Sequence, residues 1–362
     1  MAQSQDGEQA RGARSGRTEY FDLQILRALA ALGVVLDHSA IITSERGGGY
    51  TTLLERTAMF LGYSGVWIFF VISGFIMMVT RERAEHNPGG SIRFLRSRII
   101  RIYPLYLSVT LLKAVQIFGE FSTKELFLSL SFVPYFNSQG LMRPLVGQGW
   151  TLVYEMFFYL VFAASLVLKK LYGLIFLYLV LFLLFVAGGI AEIFAFEAGA
   201  AFATYTDPIM LFFLAGITVY LLRRDLPAFG MRNWPMMSLV YGALIGLFVF
   251  LDSSRLGESW AANIALGLLC ALLVFVSVSG VESRPNKIAK LLHFLGGASY
   301  SIYLTHTFVL LFLKKLGLTR VGDVAFMLSA LVASCVVGGL VYQYFEKPAG
   351  AWAAKLKWGF SR

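Results

Sequence analysis

Along the chain, long apolar runs are separated by short polar, basic or glycine-bearing stretches, without the strict alternation of a half-buried strand. A membrane-spanning helix needs about twenty predominantly apolar residues. Runs at 21–43, 58–80, 102–119, 150–168, 171–190, 207–222, 234–251, 259–280, 291–313 and 323–345 approach that length. Their pattern predicts an all-α, polytopic membrane helix bundle of about ten transmembrane helices. Residues 1–20 read as a disordered cytoplasmic tail, 21–348 as one membrane domain, and 349–362 as a basic cytoplasmic tail. The stretch 191–206 is expected to be a re-entrant segment or an outer loop. Leu126 to Val133 is expected to lie along the membrane interface.

Composition sharpens this picture. Hydrophobic residues make up 57% of the 362 positions and charged residues only 14%, well below the roughly 25% of a soluble domain. Lipid must therefore solvate much of the surface. The net charge of +10 has its source in loop cations. Arg81, Arg83, Arg93, Arg96, Arg98 and Arg101 fall in one short loop, 81–101, around the turn Asn87-Pro88-Gly89-Gly90. Under the positive-inside rule this excess predicts both termini in the cytoplasm, and it excludes nucleic acid as the reason for the charge. The two cysteines, Cys270 and Cys335, sit in apolar runs and read as packing residues rather than a disulfide or metal set.

Candidate chemistry rests on residues that are costly in lipid, where an ionisable group is a functional hypothesis by default. The first helix carries Arg27, Asp37 and His38. Arg27 and His38 are about 16 Å apart along the axis and share a face. Glu155 lies one turn into the apolar run that starts at Trp150, at an expected depth close to that of His38. A carboxylate there, from Glu155 or Asp37, would orient the imidazole for general-base work. Ser299, Tyr303 and His306 form a polar stripe on the ninth helix. Arg98 and Arg101, one turn apart, suit bidentate binding of phosphate. Each reading has a plain rival: snorkelling, interhelical hydrogen bonding or an ordinary stop signal. No P-loop, Gly-x-Ser-x-Gly or His-Glu-x-x-His is present, and Gly47-Gly48-Gly49 reads as a hinge.

Together these elements resemble the acyltransferase-3 family, in particular its bacterial exopolysaccharide O-acetyltransferases. The resemblance runs from about Phe21 to Pro348. It rests on Arg27 with ten residues before His38, on Gly65-Val66-Trp67-Ile68-Phe69-Phe70-Val71-Ile72-Ser73-Gly74-Phe75, and on Arg98-x-x-Arg101 followed by Ile102-Tyr103-Pro104. It continues in Gly149-Trp150-Thr151 through Glu155 and in Ser301-Ile302-Tyr303-Leu304-Thr305-His306. It implies transfer of an acyl group, usually acetyl, from cytoplasmic acyl-CoA to a hydroxyl of an extracytoplasmic or lipid-linked polysaccharide, in a bacterial inner membrane.

The resemblance carries the family's essential histidine onto His38 and its arginine pair onto Arg98 and Arg101. The expected assignment is then His38, Glu155 and Asp37 for catalysis, and Arg98, Arg101 and Arg27 for the acetyl-CoA donor. Trp150, Tyr303, His306 and Ser73 are expected to bind substrate, with no metal and no permanently bound cofactor. The lipid bilayer and polysaccharide-synthesis machinery are the further partners it suggests. A proton-coupled secondary transporter and a non-catalytic component of an export complex are the alternatives.

Overall fold

The structure, a computed structural model, describes residues 20–44, 52–84, 89–137, 140–196, 199–226, 239–242, 260–279 and 286–355. The predicted N-terminal tail, the Gly47-Gly48-Gly49 hinge, the Asn87-Pro88 turn and the end of the C-terminal tail lie outside these residues, as does most of the span expected at 234–251.

Every element among the described residues is helical. In chain order they are α1 (Phe21–Ser44), α2 (Leu53–Ala84), α3 (Gly90–Gln116), α4 (Thr123–Leu130), α5 (Trp150–Ser165), α6 (Lys170–Ile193) and α7 (Ala200–Tyr205). They continue as α8 (Leu211–Asp225), α9 (Trp260–Ser279), α10 (Lys287–Gly297), α11 (Ser299–Lys315), α12 (Asp323–Val341) and α13 (Lys347–Lys355). Local sequence explains several starts. The Thr52 hydroxyl accepts from the Glu55 amide while the Glu55 carboxylate accepts from the Thr52 amide, a capping box that opens α2. Ser122 and Glu125 form the same device for α4.

Five helical stretches among the described residues are long and apolar enough to cross a membrane: Phe21–Ser44, Leu53–Glu82, Lys170–Ile193, Ala200–Arg224 and Asp323–Ala353. The pair Lys287–Gly297 and Ser299–Lys315 would add one more if counted as a single bent span. This supports a multi-pass membrane bundle, with five to six such spans among the described residues; most of the span expected at 234–251 is not among them. The run at 207–222 belongs to a longer helical stretch that begins at Ala200, so part of the stretch expected to be a re-entrant segment or an outer loop joins a span. The arginines 93–101 lie on the opening turns of α3, which begins after Gly89 in the left-handed region (φ 73°), and not on a loop.

The ninth predicted span is two helices meeting at 78°. A side chain at Gly296 would come within 1.9 Å of the Gln24 carbonyl oxygen. The chain therefore bends where α1 crosses it. Such a break is tolerated in a membrane protein because it is buried in protein rather than in lipid.

The core sits between α1, α2, α3, α5, α8 and α9. Glycines let α2 pass very close to its neighbours: a Cβ at Gly65 would meet Ala30 O at 2.5 Å, and one at Gly74 would meet Phe213 O at 2.1 Å. Small residues at helix contacts are how backbones approach in membranes, where packing replaces the hydrophobic effect as the force between helices. Phe158 stacks on Phe213 at 4.0 Å, and Phe70 meets Phe213 edge-on at 4.9 Å. In contrast, α6 leaves most of its apolar surface uncovered, as a lipid-facing helix does.

Candidate active site

Antiparallel packing of α1 on α2 sets the depth scale. Gly62 faces Asp37, and Gly65 faces Ala30. Continuing that register puts Ser73 near the start of α1, far from His38. At Ser73 the bundle holds a cavity of about 120 Å³ lined by Arg27, Ser73, Arg98, Arg101, Glu155, Tyr159, Ser299, Tyr300 and Tyr303, with Phe69, Phe70, Ile76 and Met77 among its apolar walls.

Three guanidinium groups reach this cavity from two helices. Arg27 donates from Nη2 to Ser299 Oγ at 2.9 Å and from Nη1 to Gln24 Oε1 at 3.1 Å. Arg98 lies over the rings of Phe94 (5.5 Å) and Tyr159 (5.8 Å). Its Nε is buried and finds no acceptor among the described residues. Arg101 is exposed while lining the cavity, so the cavity opens on its side. The backbone of α3 is tied to α11 here, since Tyr300 OH donates to Ile102 O at 2.7 Å.

Glu155 belongs to this cationic chamber. Ser73 Oγ donates to Glu155 Oε1 at 2.7 Å, and Tyr159 OH donates to the same oxygen. Its expected place beside His38 is therefore corrected. The reason is the segment before α5. Gln148, in a 3-10 turn at Gly147–Gly149, inserts between helices and donates from Nε2 to Leu304 O (2.8 Å) and Thr307 Oγ1 (3.0 Å). Next, Thr151 Oγ1 pairs with Tyr303 OH at 3.0 Å. The helix thus starts level with Leu304–Thr307, and one turn carries Glu155 to the level of Ser299 and Tyr300. That is about 10 Å from His306 along α11.

The partner of His38 is His306. His38 Nδ1 and His306 Nε2 are 2.6 Å apart, and His306 Nδ1 lies 3.3 Å from Ile302 O. His306 is fully buried, whereas His38 is only partly buried. Asp37 is buried against Gly62 on α2. Tyr303 links the two regions: it lines the chamber, and its ring centroid is 6.0 Å from that of His306. Its hydroxyl donates to Gln148 O at 3.0 Å. Trp150 does not line the chamber; it packs edge-on against Tyr154 at 5.7 Å.

Three participants escaped the sequence reading. Tyr159 and Gln148 look like an ordinary apolar-run tyrosine and a loop glutamine, with no periodicity to mark them. Glu346 did carry a signal, as a carboxylate closing an apolar run. Its helix switches to a π turn over Tyr342–Glu346, a feature often found at functional sites. There Ser301 Oγ donates to Glu346 Oε2 at 2.5 Å, and the carboxylate lies within electrostatic reach of Arg27 and Arg101. No group of three or more metal-ligating side chains occurs among the described residues.

A family model described as an acyltransferase domain matches residues 20–343. The chain is also 34% identical over 298 residues to the exopolysaccharide production protein ExoZ of Rhizobium meliloti (strain 1021), an alignment covering 80% of this chain and 89% of that protein. No solved structure matches the chain.

Proposed function

The chain belongs to the acyltransferase-3 family, and on that premise we propose that it moves an acyl group, acetyl by preference, from cytoplasmic acyl-CoA to a hydroxyl of an exopolysaccharide or its lipid-linked precursor. The acceptor class follows the printed name of its relative, an exopolysaccharide production protein. The membrane in question is a bacterial inner membrane. The observation that carries the reading is one internal chamber with Arg27, Arg98 and Arg101 on its walls, joined through Tyr303 to a histidine pair.

In this mechanism the arginines hold the phosphates of the donor, since planar guanidinium groups bind phosphate oxygens bidentately. The extended arm of the donor lies in the chamber and presents its thioester toward Tyr303. His38 takes the proton of the acceptor hydroxyl as that oxygen attacks the acyl carbon. The bond from carbon to sulfur breaks, CoA leaves as a thiolate, and the histidine returns the proton to it. Glu155, held by Ser73 and Tyr159, offsets part of the positive charge of the arginines. General acid–base contributions of this kind are worth about 10²–10⁴ in rate.

His38→Ala tests the reading. The variant should reach the membrane at wild-type levels while acetyl signals vanish from the NMR spectrum of the polymer. Retention of those signals would remove His38 from the chemistry.

A further inference from the structure

The histidine pair has a geometry that constrains protons. The two imidazoles are nearly parallel, 16° apart, with centroids separated by 4.9 Å. That separation matches the 2.6 Å between Nδ1 and Nε2 plus the radii of two rings, so the rings meet edge to edge in a shared plane. An N–H to N hydrogen bond requires that arrangement. At the far side of His306, the Ile302 carbonyl can only accept, so His306 Nδ1 is the donor of that contact. As a neutral ring, His306 then has a bare Nε2, and the proton between the rings belongs to His38 Nδ1. The other nitrogen of His38 is left with its lone pair, on the partly buried residue of the two.

We propose that His306 is a positioning residue that sets the tautomer of His38, relaying the Ile302 carbonyl of α11 to a base on α1. The proposal rests on the reading of His38 as the base. It gives His306 the part of an orienting group without a carboxylate. An orienting partner on one ring nitrogen is what assigns the other nitrogen its role. The local helix explains why His306 can hold still: Thr305 and Ser301 are buried beside it, with Thr305 Oγ1 bonded to Ser301 O at 2.7 Å.

The tautomer can be read directly. The chain has four histidines, so ¹⁵N-histidine labelling of the full protein in detergent or lipid gives few signals, and the His38→Ala spectrum identifies those of His38. The expected result is a protonated Nδ1 and an unprotonated Nε2 on His38. In His306→Leu this preference should be lost and turnover should fall about 10²-fold or more, with the KM for acyl-CoA unchanged. In His306→Gln the amide oxygen can take the acceptor place of Nε2, so both the tautomer and most of the turnover should return.

A wild-type His38 protonated at Nε2 would overturn the proposal. So would full activity in His306→Leu, or a folded His306→Gln as inactive as the leucine variant. The spectrum is independent of turnover. A chain with the expected tautomer but an active His38→Ala would refute the catalytic reading and leave the tautomer assignment standing.

Discussion

Arg98 concentrates the physical chemistry of the cationic chamber in one side chain. A buried charged donor without an acceptor costs more than the roughly 1–3 kcal/mol of a neutral one, and Arg98 Nε has none among the described residues. The rings of Phe94 and Tyr159 offset part of that cost through cation–π contact. A phosphate oxygen would complete it. Lysine keeps the charge but lacks both the planar fork and the stacking face. Arg98→Lys is therefore expected to raise the acyl-CoA KM about tenfold with turnover largely kept, equivalent to roughly 1.4 kcal/mol of binding. Steady-state kinetics over a range of donor concentrations measures it; an unchanged KM would separate Arg98 from the donor.

At the scale of elements, the chamber exists because helices cross at glycine contacts and because one of them breaks. A Cβ at Gly216 would meet Val71 O at 2.0 Å, and one at Gly74 would meet Phe213 O at 2.1 Å, so α2 and α8 touch backbone to backbone beside Ser73. Gly216→Ala and Gly74→Ala should each destabilise the protein by about 1–3 kcal/mol through overpacking, read as a lower unfolding temperature in detergent. Gly350→Ala, which meets nothing within 4 Å, should leave that temperature unchanged. The bend between α10 and α11 has the same origin in close approach, here to the α1 backbone at Gln24. It brings the N-terminal turn of α11, with Ser299 and Tyr300, to the wall of the chamber.

For the whole molecule, the cationic chamber and the histidine pair occupy different levels of one bundle, and that separation has functional meaning only if the levels face opposite sides of a membrane. The charge pattern predicts the start of α3 and the α10 segment inside and the α4 segment outside. In a background lacking Cys270 and Cys335, Lys124→Cys should react with an impermeant maleimide on intact cells. Lys290→Cys should react only after permeabilisation. Both residues are exposed, so labelling reports sidedness rather than burial. The opposite pattern would invert the proposed path of the acyl group.

Several features were legible in the residues alone. Long apolar runs without alternation can only be helices in lipid, because each backbone polar group must be satisfied within its own segment. Arg27, His38 and Glu155 announced themselves because ionisable groups in lipid are costly enough to need a reason, and Arg98 by its one-turn spacing from Arg101. Spacing along one helix also put Arg27 and His38 on a shared face. What the residues could not convey was distance between helices. Depth counted from the start of an apolar run placed Glu155 with His38, but the loop carrying Gln148 folds into the bundle and starts α5 level with His306, so that the next turn sets Glu155 among the arginines. Only tertiary packing paired His38 with His306, 268 positions away. Only the same packing brought Glu346 to Arg27 and Arg101. Periodicity records which face a residue occupies on its own helix; the partner on that face is decided by how helices cross, and crossings depend on contacts between segments remote in sequence.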